Sequence, residues 1–191
     1  MQGEQKIIAG VDEVGRGPLI GSVVAAACIL PDTYELPGLM DSKKVSEKKR
    51  AILNELILEQ SVAWSIAEAT AVEVDKINVL QASLLAMKRA VEQLGTQPTL
   101  VLVDGNKLPQ WQYKAQAIVG GDGSEPAISA ASILAKVYRD QQMIELAQQH
   151  PEYGFEKHKG YPTKQHLAAI HEHGILLEHR KSFGPVKKLF E

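Results

Sequence analysis

Cysteine is nearly absent from this sequence: Cys28 is the single one. No intrachain disulfide can form, a composition suited to a reducing compartment, and the apolar run VVAAACIL around Cys28 makes its thiol a small buried hydrophobe. Long hydrophobic runs are also missing, and the N-terminal MQGEQKIIAG has no basic stretch leading into an apolar one. A membrane span and a secretory leader are therefore not expected, and a cytoplasmic protein is. Aromatic residues make up only 5% and net charge is -2, so an overall basic, polyanion-binding character is absent too. Positive charge is instead bunched: Lys43, Lys44, Lys48, Lys49 and Arg50; Lys157, His158 and Lys159; then His179, Arg180, Lys181, Lys187 and Lys188 in the tail. For Lys48 to Arg50 an ordinary solvated helix face is a serious competitor.

What is present is enough apolar material for one sizeable core, 45% of 191 residues. KIIAGVDEV, LIGSVVAAACIL and SVAWSIAEAT are β-branched and apolar in the manner of buried strands. Ser46 to Gln60 carries Ile52, Leu53, Leu56 and Ile57 at helical spacing behind the N-cap candidate Ser46, and Ala71 to Leu94 is helical again, stopped by Gly95. TLVLVDGN is a wholly apolar strand ending in Asp104, and KAQAIVGGDG a further strand running into a glycine loop. Pro126 opens the longest helical pattern, and from Pro151 onward aromatic, His, Lys and Gly residues suggest a small helical appendage. The order predicts an α/β protein with a mixed sheet of about five strands, because the first two are joined too tightly to be parallel. Trp64 is expected in the core and Trp111 at an edge.

Four acids stand in costly places: Asp12 and Glu13 inside the first apolar strand, Asp104 at the end of the fourth, and Asp122 in the GGDG loop. A carboxylate buried in a strand costs several kcal/mol unless a cation or partner offsets its desolvation. No Arg or Lys presents itself in the sequence as that partner, so a divalent-metal site is the better account. Hard oxygen ligands select Mg²⁺ or Mn²⁺ rather than zinc. Adjacent residues on a regular strand point to opposite faces, so either the strand bends at Asp12 and Glu13 or one of them contributes from the rim. The histidines His158, His166, His171, His173 and His179 match no zinc spacing and are read as surface residues.

Directly after the first acids comes GRGPLIG, whose Gly15 and Gly17 let backbone N–H groups approach a ligand. A dinucleotide-binding fold is excluded: the spacing is wrong, the following segment is a strand rather than a helix, and two acids stand where phosphates would lie.

Taken in order and spacing, GVDEVGRGPLIG, DSKK, LVDGN, GD, SAASILAKVYRD, YGFEKHKGYPT and HRKSFGPVKK resemble the ribonuclease HII family from about Ile8 to Lys188. The resemblance implies a ribonuclease H-like mixed five-stranded sheet flanked by helices: a catalytic domain over residues 1–150 and a helical C-terminal extension over 151–191 packed on it. It implies an endonuclease that cuts the RNA strand of RNA/DNA hybrids and nicks 5′ of ribonucleotides embedded in duplex DNA. Two Mg²⁺ or Mn²⁺ ions would serve the reaction, held by Asp12, Glu13, Asp104 and Asp122 as catalytic acids, and the enzyme would work as a monomer. Gly15, Arg16 and Gly17 would grip the backbone at the ribonucleotide, Tyr161 would stack on the sugar at the RNA-to-DNA junction, and Asp140 would be a scaffold acid. Lys43 and Lys44 would hold the phosphates electrostatically, with Ser42 hydrogen-bonding one. Two rivals are weighed. A non-catalytic binder of hybrid DNA would gain by losing four acids at a phosphate. A ribonuclease HIII is expected to carry an extra N-terminal domain, whereas here the first strand begins close to Met1.

Overall fold

The structure is a computed structural model that describes residues 6–40 and 45–189. Five strands form one sheet: β1 (Ile8–Val14), β2 (Val23–Ile29), β3 (Ala63–Ala69), β4 (Leu100–Asp104) and β5 (Ala115–Ile118). Their order is β3-β2-β1-β4-β5. The β1–β2 and β2–β3 pairs are antiparallel, while β1–β4 and β4–β5 are parallel. The mixed sheet read from the sequence is thus observed, with β1 at its centre.

Every residue of β2 is buried, so both faces of the sheet are covered. Val23, Ala25, Ala27 and Ile29 join a core with α2 (Ala71–Glu92). Val24, Ala26 and Cys28 join a second core with α1 (Glu47–Gln60) and α3 (Pro126–Gln149). Small residues set the spacing on the α3 side: a Cβ on Gly10 would fall 2.1 Å from the Ala127 carbonyl carbon, so the start of α3 rests on the backbone of β1. A third core joins Leu19, Ile20 and Met143 to Tyr153, Phe155, Ile170 and Val186, binding the C-terminal segment to the β1–β2 turn and the end of α3. That segment contains α4 (Phe155–His158), α5 (Lys164–His173) and α6 (Gly184–Lys187).

Capping follows the sequence. Ser46 accepts a hydrogen bond from the Lys49 amide at the start of α1, and Thr70 with Glu73 forms a reciprocal capping box on α2. Two expectations are corrected. The helix expected from Ala71 to Leu94 is broken at Asn78, which sits at φ 66° and caps a new turn by accepting from the Leu80 and Gln81 amides. Trp64 is 43% exposed, because β3 is an edge strand and Trp64 alternates with Ser65, whose side chain turns inward to the Ala90 carbonyl. No helix among the described residues is long and apolar enough to cross a membrane.

Candidate active site

Register explains how two of the acids meet. Gly10 pairs with Leu102 and Val11 with Val103, so one residue further along these adjacent parallel strands Asp12 comes beside Asp104 on the face covered by α3. Asp122 lies in a short 3-10 turn, Gly121–Gly123, after β5; its amide donates to Asp104 Oδ1 at 3.2 Å, and the Ser129 hydroxyl of α3 holds its carbonyl. The turn packs closely on α3 at Gly121, where a Cβ would fall 2.5 Å from Ile128 Cδ1 and that side chain would have to move. Glu13 ends up on the same cavity although it follows Asp12 on the strand. The cavity, about 400 Å³, is lined by Asp12, Glu13, Asp104 and Asp122 together with Arg50, Ser132 and Lys136. The four acids singled out in the sequence are brought together.

Asp12 is buried, and its pKa is pushed well above the ordinary carboxylate range, first by burial, then by the negative charges of Glu13 and Asp104. The Ser132 hydroxyl and the Glu13 amide, the latter 2.7 Å from Asp12 Oδ1, oppose the rise. Glu13 is also raised by burial, against the pull of Arg16. Arg16 Nη1 lies 3.2 Å from Glu13 Oε1. This corrects the expectation that no cation stands beside the acids: the basic residue of the glycine turn curls back onto Glu13. Among the described residues no three His, Cys, Asp or Glu side chains converge as a ready-made ion cage. The acids share a cavity wall without closing around one point.

The glycine turn stands at the rim. Gly15 has φ 90°, and a Cβ there would fall 2.2 Å from Arg139 Nε, so only glycine fits. Gly17 carries the ring of Tyr161, whose Cε1 would be 3.0 Å from an added Cβ; Tyr161 itself is 45% exposed. Two elements far apart in sequence thus make one surface beside the acids. Asp140 pairs with Lys136 at 2.5 Å and Arg50 at 3.8 Å. Ser42, Lys43 and Lys44 lie outside the described residues.

The family model described as Ribonuclease HII matches residues 9–185. The chain belongs to the ribonuclease HII family. A ribonuclease HII of Neisseria meningitidis is 56% identical over 184 residues, covering 96% of this chain and 95% of the relative. One of Polynucleobacter asymbioticus is 54% identical over 188 residues, covering 96% of each. Among solved structures, the ribonuclease H2 of Pyrococcus horikoshii OT3 has a TM-score of 0.79 at 24% identity, covering 95% of this chain and 96% of that one. Bst-RNase HIII, solved with Mn²⁺, has a TM-score of 0.70 at 15% identity, covering 99% of this chain and 70% of that one. At these identities the structural likenesses show the shared ribonuclease H-like fold. The family assignment makes the chain an endoribonuclease acting on the RNA of RNA/DNA hybrids, and the ribonuclease HIII alternative falls away.

For this ribonuclease HII chain, sequence reasoning missed Arg139, His166, His179 and Arg180, all essentially fully buried. Two of the histidines read as surface residues, and one arginine counted in the basic tail, are therefore interior groups. Burial of a polar side chain depends on partners elsewhere in the chain, and no local pattern announces it. The YRD and HRKSFG motifs contain Arg139, His179 and Arg180, but only as strings.

Proposed function

We propose that the four acids bind divalent ions of the Mg²⁺ or Mn²⁺ class and that the enzyme nicks duplex DNA on the 5′ side of an embedded ribonucleotide, besides cutting longer RNA in hybrids. The single observation behind this reading is the placement of Asp12 beside Asp104, with Glu13 and Asp122 on the same cavity wall. The donor set fits such ions: all carboxylate oxygens, with Asp12 raised first by burial and then by the charges of Glu13 and Asp104. The open arrangement also fits, because Mg²⁺ is commonly held by one or two carboxylates with substrate phosphate and water completing its shell. Ions held by Asp12, Glu13, Asp104 and Asp122 would supply activation of the attacking water and neutralisation of charge at the phosphate.

The chain's own residues do the rest. Asp12, held by Ser132, and Asp104, held by the Asp122 amide, set the geometry of the ligand wall. Gly15 to Gly17 present backbone groups to the 2′-hydroxyl, the feature that distinguishes RNA from DNA, and Tyr161 packs on the sugar at the RNA-to-DNA step. Lys43, Lys44 and Ser42 contribute sequence-independent phosphate contacts. Arg16, tied to Glu13, orients that acid and brings a positive charge to the place where the phosphate is bound. In this scheme residues 1–150 carry the chemistry, and the extension over 151–191 supplies the junction-reading tyrosine.

An end-labelled DNA duplex with one ribonucleotide, incubated with Mg²⁺, tests the proposal. The expected products are a 3′-hydroxyl on the preceding nucleotide and a 5′-phosphate on the ribonucleotide. Cleavage confined to runs of several ribonucleotides, or a cyclic phosphate end, overturns it.

A further inference from the structure

The β1–β2 turn is clamped by the C-terminal segment. The Leu19 amide donates to the Gly160 carbonyl at 2.8 Å, the Arg180 amide to Leu19 at 2.8 Å, and the Gly21 amide to Glu178 at 2.9 Å. The fully buried Arg180 side chain makes four hydrogen bonds, all to main-chain carbonyls of this turn: Gly15 at 2.6 Å, Arg16 at 3.0 Å, Pro18 at 2.8 Å and Gly21 at 2.9 Å. In a trans peptide the C=O and the following N–H point in opposite directions. Drawing the Gly15 and Arg16 carbonyls onto Arg180 therefore turns the Arg16 and Gly17 amides away from it, free to meet a ligand.

The preceding residue reaches the other half of the same surface. His179 Nδ1 accepts from the Leu176 amide at 2.8 Å, so its ring proton sits on Nε2, 3.2 Å from His166 Nε2. His166 then accepts at Nε2 and carries its own proton on Nδ1, which it donates to the Tyr161 carbonyl at 3.0 Å. His158 stacks on His166 with 4.8 Å between ring centres and accepts from the Gly160 amide at 3.3 Å. Burial favours the neutral ring at both His166 and His179.

We propose that the adjacent residues His179 and Arg180 are the positioning pair of the ribonucleotide-reading surface. Arg180 aims the Arg16 and Gly17 amides, and His179, acting through His166, fixes Tyr161 against Gly17. One dipeptide thereby holds in register two elements that come from opposite ends of the chain, so that a single 2′-hydroxyl and its sugar ring meet both at once. The inference rests on the reading that Gly15 to Gly17 and Tyr161 contact the ribonucleotide, and the test separates the two.

Single-turnover nicking of a duplex with one ribonucleotide is compared with cleavage of an all-RNA hybrid, for Tyr161→Ala, His166→Phe and the double variant, each first shown to melt cooperatively. His166→Phe should lower single-ribonucleotide nicking by about tenfold and hybrid cleavage far less, since misplacement by a fraction of an ångström is enough for that loss. In the Tyr161→Ala background it should have no further effect, and His166→Asn, which restores an N–H toward the Tyr161 carbonyl, should recover part of the loss. Losses that multiply in the double variant, or a silent His166→Phe beside a damaging Tyr161→Ala, overturn the positioning role alone. A silent Tyr161→Ala overturns the substrate reading and this inference with it. Arg180→Lys, which replaces a fork by one donor centre, should slow both substrates while plain duplex binding persists; an unimpaired rate overturns the role of Arg180. Imidazole ¹⁵N NMR of the unaltered protein should find the proton of His166 on Nδ1 and that of His179 on Nε2, and the opposite tautomers overturn the relay.

Discussion

Asp12 illustrates how a single residue couples stability to function. Its raised pKa means that the folded, metal-free protein holds a proton on Asp12 more tightly than the unfolded chain does. The associated stability is present below the ordinary carboxylate range and is lost as pH rises through the raised value. Asp12→Asn in EDTA should therefore melt higher than the native protein at neutral pH, by on the order of 1–3 kcal/mol, with the gap closing as pH falls. The same change should abolish cleavage while leaving hybrid binding intact or tighter, as should Asp104→Asn, because a ligand charge is lost but the positive surface remains. Thermal melts across pH and gel-shift binding beside a cleavage assay check both statements; activity surviving in excess EDTA would refute the metal role. Gly15→Ala forces a side chain onto Arg139 at positive φ and should impair both folding and cleavage.

Among the elements, α2 shows stability arranged at a helix start. Glu73 closes the capping box with Thr70 and also meets Arg89, whose Nη2 lies 2.6 Å from Glu73 Oε1. Arg89 in turn donates to the Glu68 carbonyl of β3, so the ion pair joins helix to sheet edge. Hydrogen bonds from Arg89 hold the Glu73 carboxyl down to about 2. A depressed carboxylate contributes stability above its ordinary pKa and loses it as pH falls toward the folded value, so the window is between about 4.5 and about 2. Glu73→Gln keeps a capping oxygen for the Thr70 amide but loses the charge facing Arg89, so it should cost about 1 kcal/mol at neutral pH, the upper scale of an exposed ion pair, and nothing at the acid end of that window. Denaturant titrations at pH 7 and near pH 2 check this, and an equal cost at both would remove the charge from the explanation.

In the whole molecule, α3 ties the cores together: Ala130 and Leu134 enter the second, Met143 and Ala147 the third, and its first turns rest on β1. The C-terminal segment is consequently fastened to the sheet through α3 and the β1–β2 turn, and the protein should unfold in one transition. Phe155 is fully buried in the third core, stacked on Tyr153 with 5.1 Å between ring centres. Phe155→Ala should destabilise by about 3–5 kcal/mol. It should also depress nicking at a single ribonucleotide more than cleavage of an all-RNA hybrid, because α4 and the turn after it carry Tyr161. Calorimetry with the two substrate assays checks the pair; two separate transitions would show the segment folding by itself.

Much of this was legible from residue order. The apolar strands, the Ser46 cap and the tight β1–β2 connection were enough for a mixed five-stranded α/β sheet, because strand periodicity and turn chemistry are local. Asp12, Glu13 and Asp104 stood out because a carboxylate in an apolar strand is expensive wherever the strand goes, and Asp122 because it sits in the glycine loop that follows the fifth strand. Tertiary structure decided the rest. That Glu13 shares the cavity with Asp12, that Arg16 turns back to Glu13, and that Asn78 breaks α2 depend on local geometry that hydrophobic pattern does not encode. His166, His179, Arg139 and Arg180 became interior residues through partners such as Gly15 and Arg180, 165 positions apart in the chain. Sequence pattern reports burial through hydrophobicity, whereas a polar group is admitted to the interior only by the hydrogen bonds that folding brings to it.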